Sequence, residues 1–330
     1  MRTLKLDGNS LVRVIEIADP VPAPDEVIVK TAVSVLCGSE LHTYRSHGQE
    51  HGNTGHEAAG TVVALGSQVT SLKVGQRVGV SGVSGCGHCP ECARGRYTWC
   101  TEHPGFGSMH AELIRTQART CLALPDDVPW DAGVLLSGDG IGVPYHTSTR
   151  LRDPWIKTIA IFGAGPIGLG NIMMQSYLGR RVIAVDIAPY RLDLAKKLGA
   201  AEVVDARGGE VVAKVRGLTD GLGPETCLEA AGKPETFRQA LAAVRTGGTV
   251  AVNGEQSKVE ISPSEDLIRR DITLFGSWFY FYSEFDAMVA LYRQGFPATK
   301  LITHRYPFSE VATAYTEFAA GRTGKVMLEY

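Results

Sequence analysis

No run of about eighteen apolar residues occurs anywhere in these 330 residues, which excludes an ordinary membrane-crossing helix. Net charge is small as well: 33 Lys and Arg against 35 Asp and Glu leave −2, too little to draw the chain to nucleic acid or to an anionic membrane. Any polyanion must therefore be held by a local site. Residues 1–7 carry no apolar core followed by a small-residue cleavage signal, so export is not expected. Cysteine is scarce and uneven. Four of the seven (Cys86, Cys89, Cys92, Cys100) fall within fifteen residues, while Cys37, Cys121 and Cys227 stand alone. An odd count with one tight cluster suits metal binding in a reducing compartment better than a disulfide framework, and the expected location is the cytoplasm. What is present is ordinary for a globular protein, 44% hydrophobic and 21% charged, at a length that favours two domains.

The first third alternates short β-branched runs, such as 27–30 and 61–64, with turns at Gly8, Gly60, Gly66, Gly75 and Gly79, the pattern of a β-rich domain. From Trp155 the pattern changes. The apolar run 157–162 leads into Gly163-Ala164-Gly165-Pro166-Ile167-Gly168, a helix to about Leu178, a strand over 181–186 and a helix over 189–198. Further strands at 202–205, 226–229, 249–252 and 272–276 alternate with helical segments. Such alternation predicts an α/β fold, a doubly wound parallel sheet covered on both faces. The α/β unit is expected over 141–280. Residues 281–330, with a helix near 310–320, are expected to return to the β-rich domain of residues 1–140.

Gly163, Gly165 and Gly168 follow a predicted strand and open a helix, the context a dinucleotide fingerprint requires. The first glycine permits the tight turn and the second lets backbone approach pyrophosphate. The third lets helix and strand pack closely, and Pro166 and Ile167 start the helix whose free N–H groups meet the phosphates. Asp186 closes the next strand, eighteen residues past Gly168. A carboxylate there accepts hydrogen bonds from the adenosine ribose and repels a 2′-phosphate, so NAD is expected over NADP. Arg191 would tolerate that phosphate and keeps NADP open; a ligand-free structural turn is the plainer alternative.

Cys86-x2-Cys89-x2-Cys92-x7-Cys100, with Gly85, Gly87 and Gly95 for its turns, suits a closed tetrahedral zinc within a lobe at 85–101. A closed site folds a loop and does no chemistry. An iron–sulfur cluster and paired disulfides are the alternatives. Three further stretches stand out: Cys37-Gly38-Ser39-Glu40-Leu41-His42, Gly55-His56-Glu57 and Ser137-Gly138-Asp139-Gly140. Singly, each has a plain explanation: a small buried thiol, a satisfied loop histidine, a turn aspartate.

In this order, together with the cysteine lobe and the glycine unit, these stretches make nearly the whole chain resemble the zinc-containing medium-chain dehydrogenases, most of all the polyol, sorbitol and threonine branch. The resemblance implies a GroES-like catalytic domain, a Rossmann domain, an active site in the cleft between them, and a homodimer or homotetramer. It implies that Cys37 and His56 are the first two ligands of a catalytic zinc. The third is then Asp139, six residues before Tyr145, where many relatives place cysteine or glutamate. Glu57 matches a carboxylate that ligates zinc in some relatives and supports the site from behind in others. Ser39 matches the hydroxyl that takes the substrate proton, and His42 the base that passes it to solvent. Glu40 stands where the family usually has aspartate, and would orient His56 through its other ring nitrogen.

Zinc held by one thiolate, one carboxylate and one neutral imidazole has a net charge near zero. Such an ion would still lower the pKa of an alcohol at its open position, while the nicotinamide takes the hydride. Two zinc ions per chain and NAD are thus expected, acting on a small secondary alcohol or its ketone. The polar segment 44–51 contains His47 and His51, which form a solvated loop or line a pocket for a hydroxyl-rich substrate. Glu255 and the aromatic run 278–282 follow predicted strand ends and would face the same cleft, unless the aromatics serve packing or a subunit interface. The expected substrate is a polyol or sugar-like alcohol. A dehydrogenase of simple or aromatic alcohols and a non-catalytic NAD-binding redox sensor are the competing readings. A zinc-ribbon nucleic-acid module fails because no basic stripe accompanies the cysteines. Both metal sites disfavour the zinc-free quinone reductases of the same superfamily.

Overall fold

A computed structural model describes residues 1–103 and 107–330. The chain forms two compact units: Met1–Gly142 with Phe279–Tyr330, and Val143–Trp278.

The second unit is built on a six-stranded parallel sheet. Its spatial order is Glu202–Asp205, Arg181–Asp186, Thr158–Phe162, Thr226–Glu229, Thr249–Val252, Thr273–Gly276. Numbered along the chain within this unit, the order is 3-2-1-4-5-6, that of a Rossmann fold. The central strands are buried on both faces, which is why Thr-Ile-Ala-Ile-Phe at 158–162 reads as a continuous apolar run. Ala160, Phe162, Ile183 and Val185 pack with Phe237 and Leu241 from the helix Pro234–Ala243. Pro166 and Pro189 each open a helix, where a missing N–H costs nothing, and Lys196 and Lys197 lie in the last turn of Pro189–Lys197, complementing its dipole.

The first unit opens with a hairpin, Arg2–Gly8 against Leu11–Glu16, whose turn residues Asn9 and Ser10 both have positive φ (50° and 62°), as a tight two-residue turn demands. Its main sheet runs Ile302–Pro307, Lys325–Glu329, Glu26–Val35, Ala58–Leu65, Arg77–Val80, Cys121–Ala123, with Leu113–Gln117 also pairing to Glu26–Val35. The C-terminal strand therefore lies directly beside the strand that ends just before Cys37, with Met327 opposite Val35. Among the described residues no helix is long and apolar enough to cross a membrane.

Candidate active site

Strand pairing assembles the first part of the site. Glu26–Val35 and Ala58–Leu65 run antiparallel with Ser34 opposite Ala58, so the residues just after one strand and just before the other emerge at the same end. Cys37 belongs to the first group, His56 and Glu57 to the second, and Val35 N–H donates to the Glu57 carbonyl at 3.1 Å. Asp139 arrives from elsewhere, as the first residue of the helix Asp139–Arg150 after the Ser137-Gly138 turn. Only glycine fits at 138, since a Cβ there would lie 2.4 Å from a Glu57 carboxylate oxygen.

The ligand atoms of Cys37, His56, Glu57 and Asp139 all lie within 4.8 Å of one another. Asp139 Oδ2 is 3.6 Å from Cys37 Sγ and 3.2 Å from His56 Nε2. A tetrahedral zinc with ordinary bond lengths would give S···O and N···O edges of about 3.5 and 3.3 Å. Asp139 Oδ1 is buried without a hydrogen-bond partner, an orphan that a cation would satisfy. The donor set fits zinc.

Electrostatics points the same way. Burial disfavours a charged His56, yet the thiolate of Cys37 and the carboxylate of Asp139 raise its pKa well above the usual histidine value. Burial likewise opposes ionisation of Asp139, and the hydrogen bond and charge of His56, with the charge of Lys325, nevertheless hold its pKa below normal. Protons and neighbouring cations here balance donors that a divalent ion would balance directly. His56 Nδ1–H donates to the Thr54 carbonyl at 2.9 Å, which leaves Nε2 as the atom facing Asp139.

Glu40 does not orient His56; its carboxylate accepts from Cys37 N–H at 2.8 Å, from His110 Nε2 at 2.9 Å and from the Tyr315 hydroxyl. The Thr54 carbonyl has taken the place assigned to it. The aromatic run 278–282 also does not act as one element of the nucleotide unit. Trp278 belongs there and is half-exposed, whereas Phe279 to Tyr282 belong to the first unit. In that unit Tyr280 is buried and donates to the Ser137 carbonyl, and Tyr282 donates to the Cys121 carbonyl at 2.9 Å.

The sequence reading passed over Lys325. It is fully buried, and its ammonium donates to the Leu36 carbonyl at 3.2 Å and to the Glu57 carboxylate. Burial alone would lower its pKa, but Glu57, Cys37 and Asp139 raise it instead. Glu57 Oε2 also accepts from Gly140 N–H at 3.2 Å. A lysine set against Val326-Met327-Leu328 in a strand is itself a signal, because a buried ammonium demands a partner. Ser39 begins the helix Glu40–Arg45, His42 lies on it, and both are exposed, as are His47, His51 and Glu255.

In the lobe all four cysteines are free, with Cys86–Cys92 and Cys89–Cys100 sulfur separations of 3.9 and 3.8 Å. Thiolates around a tetrahedral zinc stand about 3.8 Å apart, closer than those around an iron–sulfur cube and far beyond a disulfide bond. Backbone N–H groups of Cys86, Cys92 and Glu102 donate to the sulfurs at 3.3, 3.4 and 3.4 Å.

The nucleotide motif occupies the C-terminal end of the central strand in the second unit. Gly163 turns with φ +96°, and a Cβ at Gly165 would meet nothing within 4 Å, leaving open space where a pyrophosphate needs close backbone approach. Asp186 is buried, and its two oxygens accept from Ala164 N–H at 2.7 Å and Ala188 N–H at 2.8 Å. The carboxylate thus braces the glycine turn while keeping a free lone pair on each oxygen. Arg191 is half-buried with its Nε unpartnered.

Comparison with known proteins shows the family. Residues 23–126 match the alcohol dehydrogenase GroES-like domain, and residues 166–294 match the zinc-binding dehydrogenase domain. The chain belongs to the zinc-containing alcohol dehydrogenase family, and is a zinc-dependent, NAD-linked oxidoreductase of CH–OH groups. Within that family it is 30% identical to an L-threonine 3-dehydrogenase of Symbiobacterium thermophilum, over 99% of this chain and 97% of the relative. It is also 30% identical to a sorbitol dehydrogenase of Bacillus subtilis, over 90% and 88%. The crystal structure of galactitol-1-phosphate dehydrogenase from Escherichia coli superposes over the full length of both chains, with a TM-score of 0.88 and 30% identity.

Proposed function

We propose that the protein oxidises a polyol or sugar-like secondary alcohol, or reduces the matching ketone, at a zinc held by Cys37, His56 and Asp139. The observation that carries this reading is the convergence of one sulfur, one imidazole nitrogen and one carboxylate oxygen at tetrahedral-edge distances, with the second Asp139 oxygen buried and unpartnered. When bound, zinc supplies a Lewis acid for the alcohol oxygen and NAD supplies the hydride acceptor. The chain's own residues do the rest. Cys37 and Asp139 contribute two negative charges and His56 none, so the site stays electrophilic toward an alcohol. Glu57 would spoil that balance, but Lys325 cancels its charge and holds its carboxylate behind the ligands. Ser39 takes the substrate proton, and exposed His42 releases it to water.

Residues 1–140 and 281–330 serve as the catalytic domain, and residues 141–280 bind the cofactor, with Asp186 selecting against a 2′-phosphate. The protein works as a homodimer or homotetramer in the cytoplasm, where its seven thiols stay reduced. Exposed His47 and His51 on a polar segment favour a hydroxyl-rich substrate, and the likeness to sorbitol and galactitol-1-phosphate dehydrogenases supports it. A panel of polyols, sugars, amino alcohols and simple secondary alcohols, followed by NADH absorbance, tests the reading. Highest kcat/KM on a polyol or sugar-like alcohol is expected; preference for a simple or aromatic alcohol would overturn the substrate class.

A further inference from the structure

His110 joins the two arms that carry Cys37 and His56. Its side chain is completely buried and its ring sits against Gly55, where a Cβ would come within 2.5 Å of His110 Cδ2. Toward Cys37 the path is short. His110 Nε2–H donates to Glu40 at 2.9 Å, and the same carboxylate accepts Cys37 N–H at 2.8 Å. Toward His56 the link runs through the main chain of the same residue. Asn53 Oδ1 accepts both His110 N–H (3.2 Å) and Gly55 N–H (3.0 Å), Asn53 Nδ2 donates to the His110 carbonyl at 3.2 Å, and Met109 N–H donates to the Gly55 carbonyl at 3.0 Å. His56 is the next residue.

Glu40, as a carboxylate, only accepts, so Nε2 of His110 carries a hydrogen, as does the Tyr315 hydroxyl that also meets Glu40. On its other side, His110 Nδ1 lies 2.8 Å from Ser34 Oγ, and Ser34 Oγ lies 3.0 Å from the Tyr330 hydroxyl. A buried carboxylate with three donors and a histidine satisfied at both nitrogens form a rigid, fully paired cluster. Phenylalanine would fill the same space as His110 and leave Glu40 buried with one donor fewer.

We propose that His110 is a positioning residue of the catalytic metal site, setting the aim of Cys37 through Glu40 and steadying the arm of His56 through the packing of its ring on Gly55. The inference rests on Cys37 and His56 holding the metal. Outer partners of metal ligands are typically worth about 10- to 100-fold in affinity. His110→Phe should therefore weaken zinc at the catalytic site by about that factor, in competition with a chromophoric chelator, while the lobe zinc stays bound. With Co²⁺ in the catalytic site, the thiolate-to-cobalt absorption and the visible bands should shift in His110→Phe. They should return in His110→Gln, whose amide can still donate to Glu40. Tyr315→Phe removes one donor and keeps His110, and should weaken zinc in the same direction by about 3-fold, should His110→Phe fail to fold.

Native zinc affinity and an unchanged cobalt spectrum in His110→Phe or in Tyr315→Phe, even with a lower melting temperature, would overturn the proposal and leave the cluster a purely structural one. A native protein that shows no thiolate-to-cobalt band at all would instead overturn the metal assignment of Cys37 on which the proposal rests.

Discussion

The two metal centres of this chain are built in opposite ways. The lobe draws four identical ligands from fifteen consecutive residues, and those sulfurs accept from backbone N–H groups. The other centre gathers thiol, imidazole and carboxylate groups from positions 37, 56, 57 and 139, with buried Glu40, His110 and Lys325 around them. Four thiolates satisfy zinc and leave it nothing to do, whereas the proposed three mixed ligands of total charge −2 would leave it a neutral complex with room for a substrate oxygen. The lobe is stable because it is closed. The catalytic centre must be held by its surroundings because it is open.

The largest contrast should appear between two cysteine substitutions. Cys37→Ser should lower kcat/KM by about 10³-fold or more, since Lewis-acid and template contributions of several kcal/mol vanish together, with little change in melting temperature. Cys86→Ser should do the reverse in kind. Zinc should fall from two ions per chain to one, and the melting temperature by more than about 5 °C, because lobe folding and metal binding are coupled. Elemental analysis and calorimetry on both variants decide it; a Cys86→Ser protein that retains two zinc ions would remove the distinction.

Lys325→Met probes the support of the open centre. Both members of the Lys325–Glu57 pair are fully buried, and removing one partner leaves an uncompensated charge, worth about 3–5 kcal/mol. Denaturant unfolding should register that loss, and Glu57→Gln in the same chain should recover part of it; a single variant within about 0.5 kcal/mol of native would mean the pair is not held as described. The smallest effect lies outside both centres. Asp186→Ser should leave two zinc ions per chain and raise the NADP-to-NAD ratio of kcat/KM by about 10-fold, equivalent to about 1.4 kcal/mol. A native enzyme that already prefers NADP would contradict that reading of the strand end.

Parts of this molecule were plain from the residues because local chemistry repeated at short range. The strands at 181–186 and 226–229 are largely buried, those at 202–205 and 249–252 are short β-branched runs between turns, and the lobe is a spacing of cysteines. The strands Ile302–Pro307 and Lys325–Glu329 were not marked out. The first is half-exposed and mixes Thr303, His304 and Arg305 among apolar residues, and the second follows the short turn after the last helix. The helices Trp130–Leu136 and Asp139–Arg150 were obscured by Gly133, Gly140, Gly142 and Pro144. The shell of the catalytic centre was least legible. Glu40 meets His110 across 70 residues and Lys325 meets Glu57 across 268, and a motif fixes where a residue stands but not where its side chain turns. Glutamate is one methylene longer than aspartate, and here that carboxylate lies on His110 and Tyr315 in place of His56.

The central claim is that the third ligand of the open centre is Asp139, with Glu57 held behind by Lys325. Metal content and turnover of Asp139→Ala beside Glu57→Ala test it most directly. Without Asp139 the zinc would keep only a thiolate and an imidazole, so that variant should contain one zinc per chain and have almost no activity. Glu57→Ala should keep two zinc ions and lose rate by about 10- to 100-fold. An Asp139→Ala enzyme with two zinc ions and near-native kcat would contradict the account and give the ligand position to Glu57.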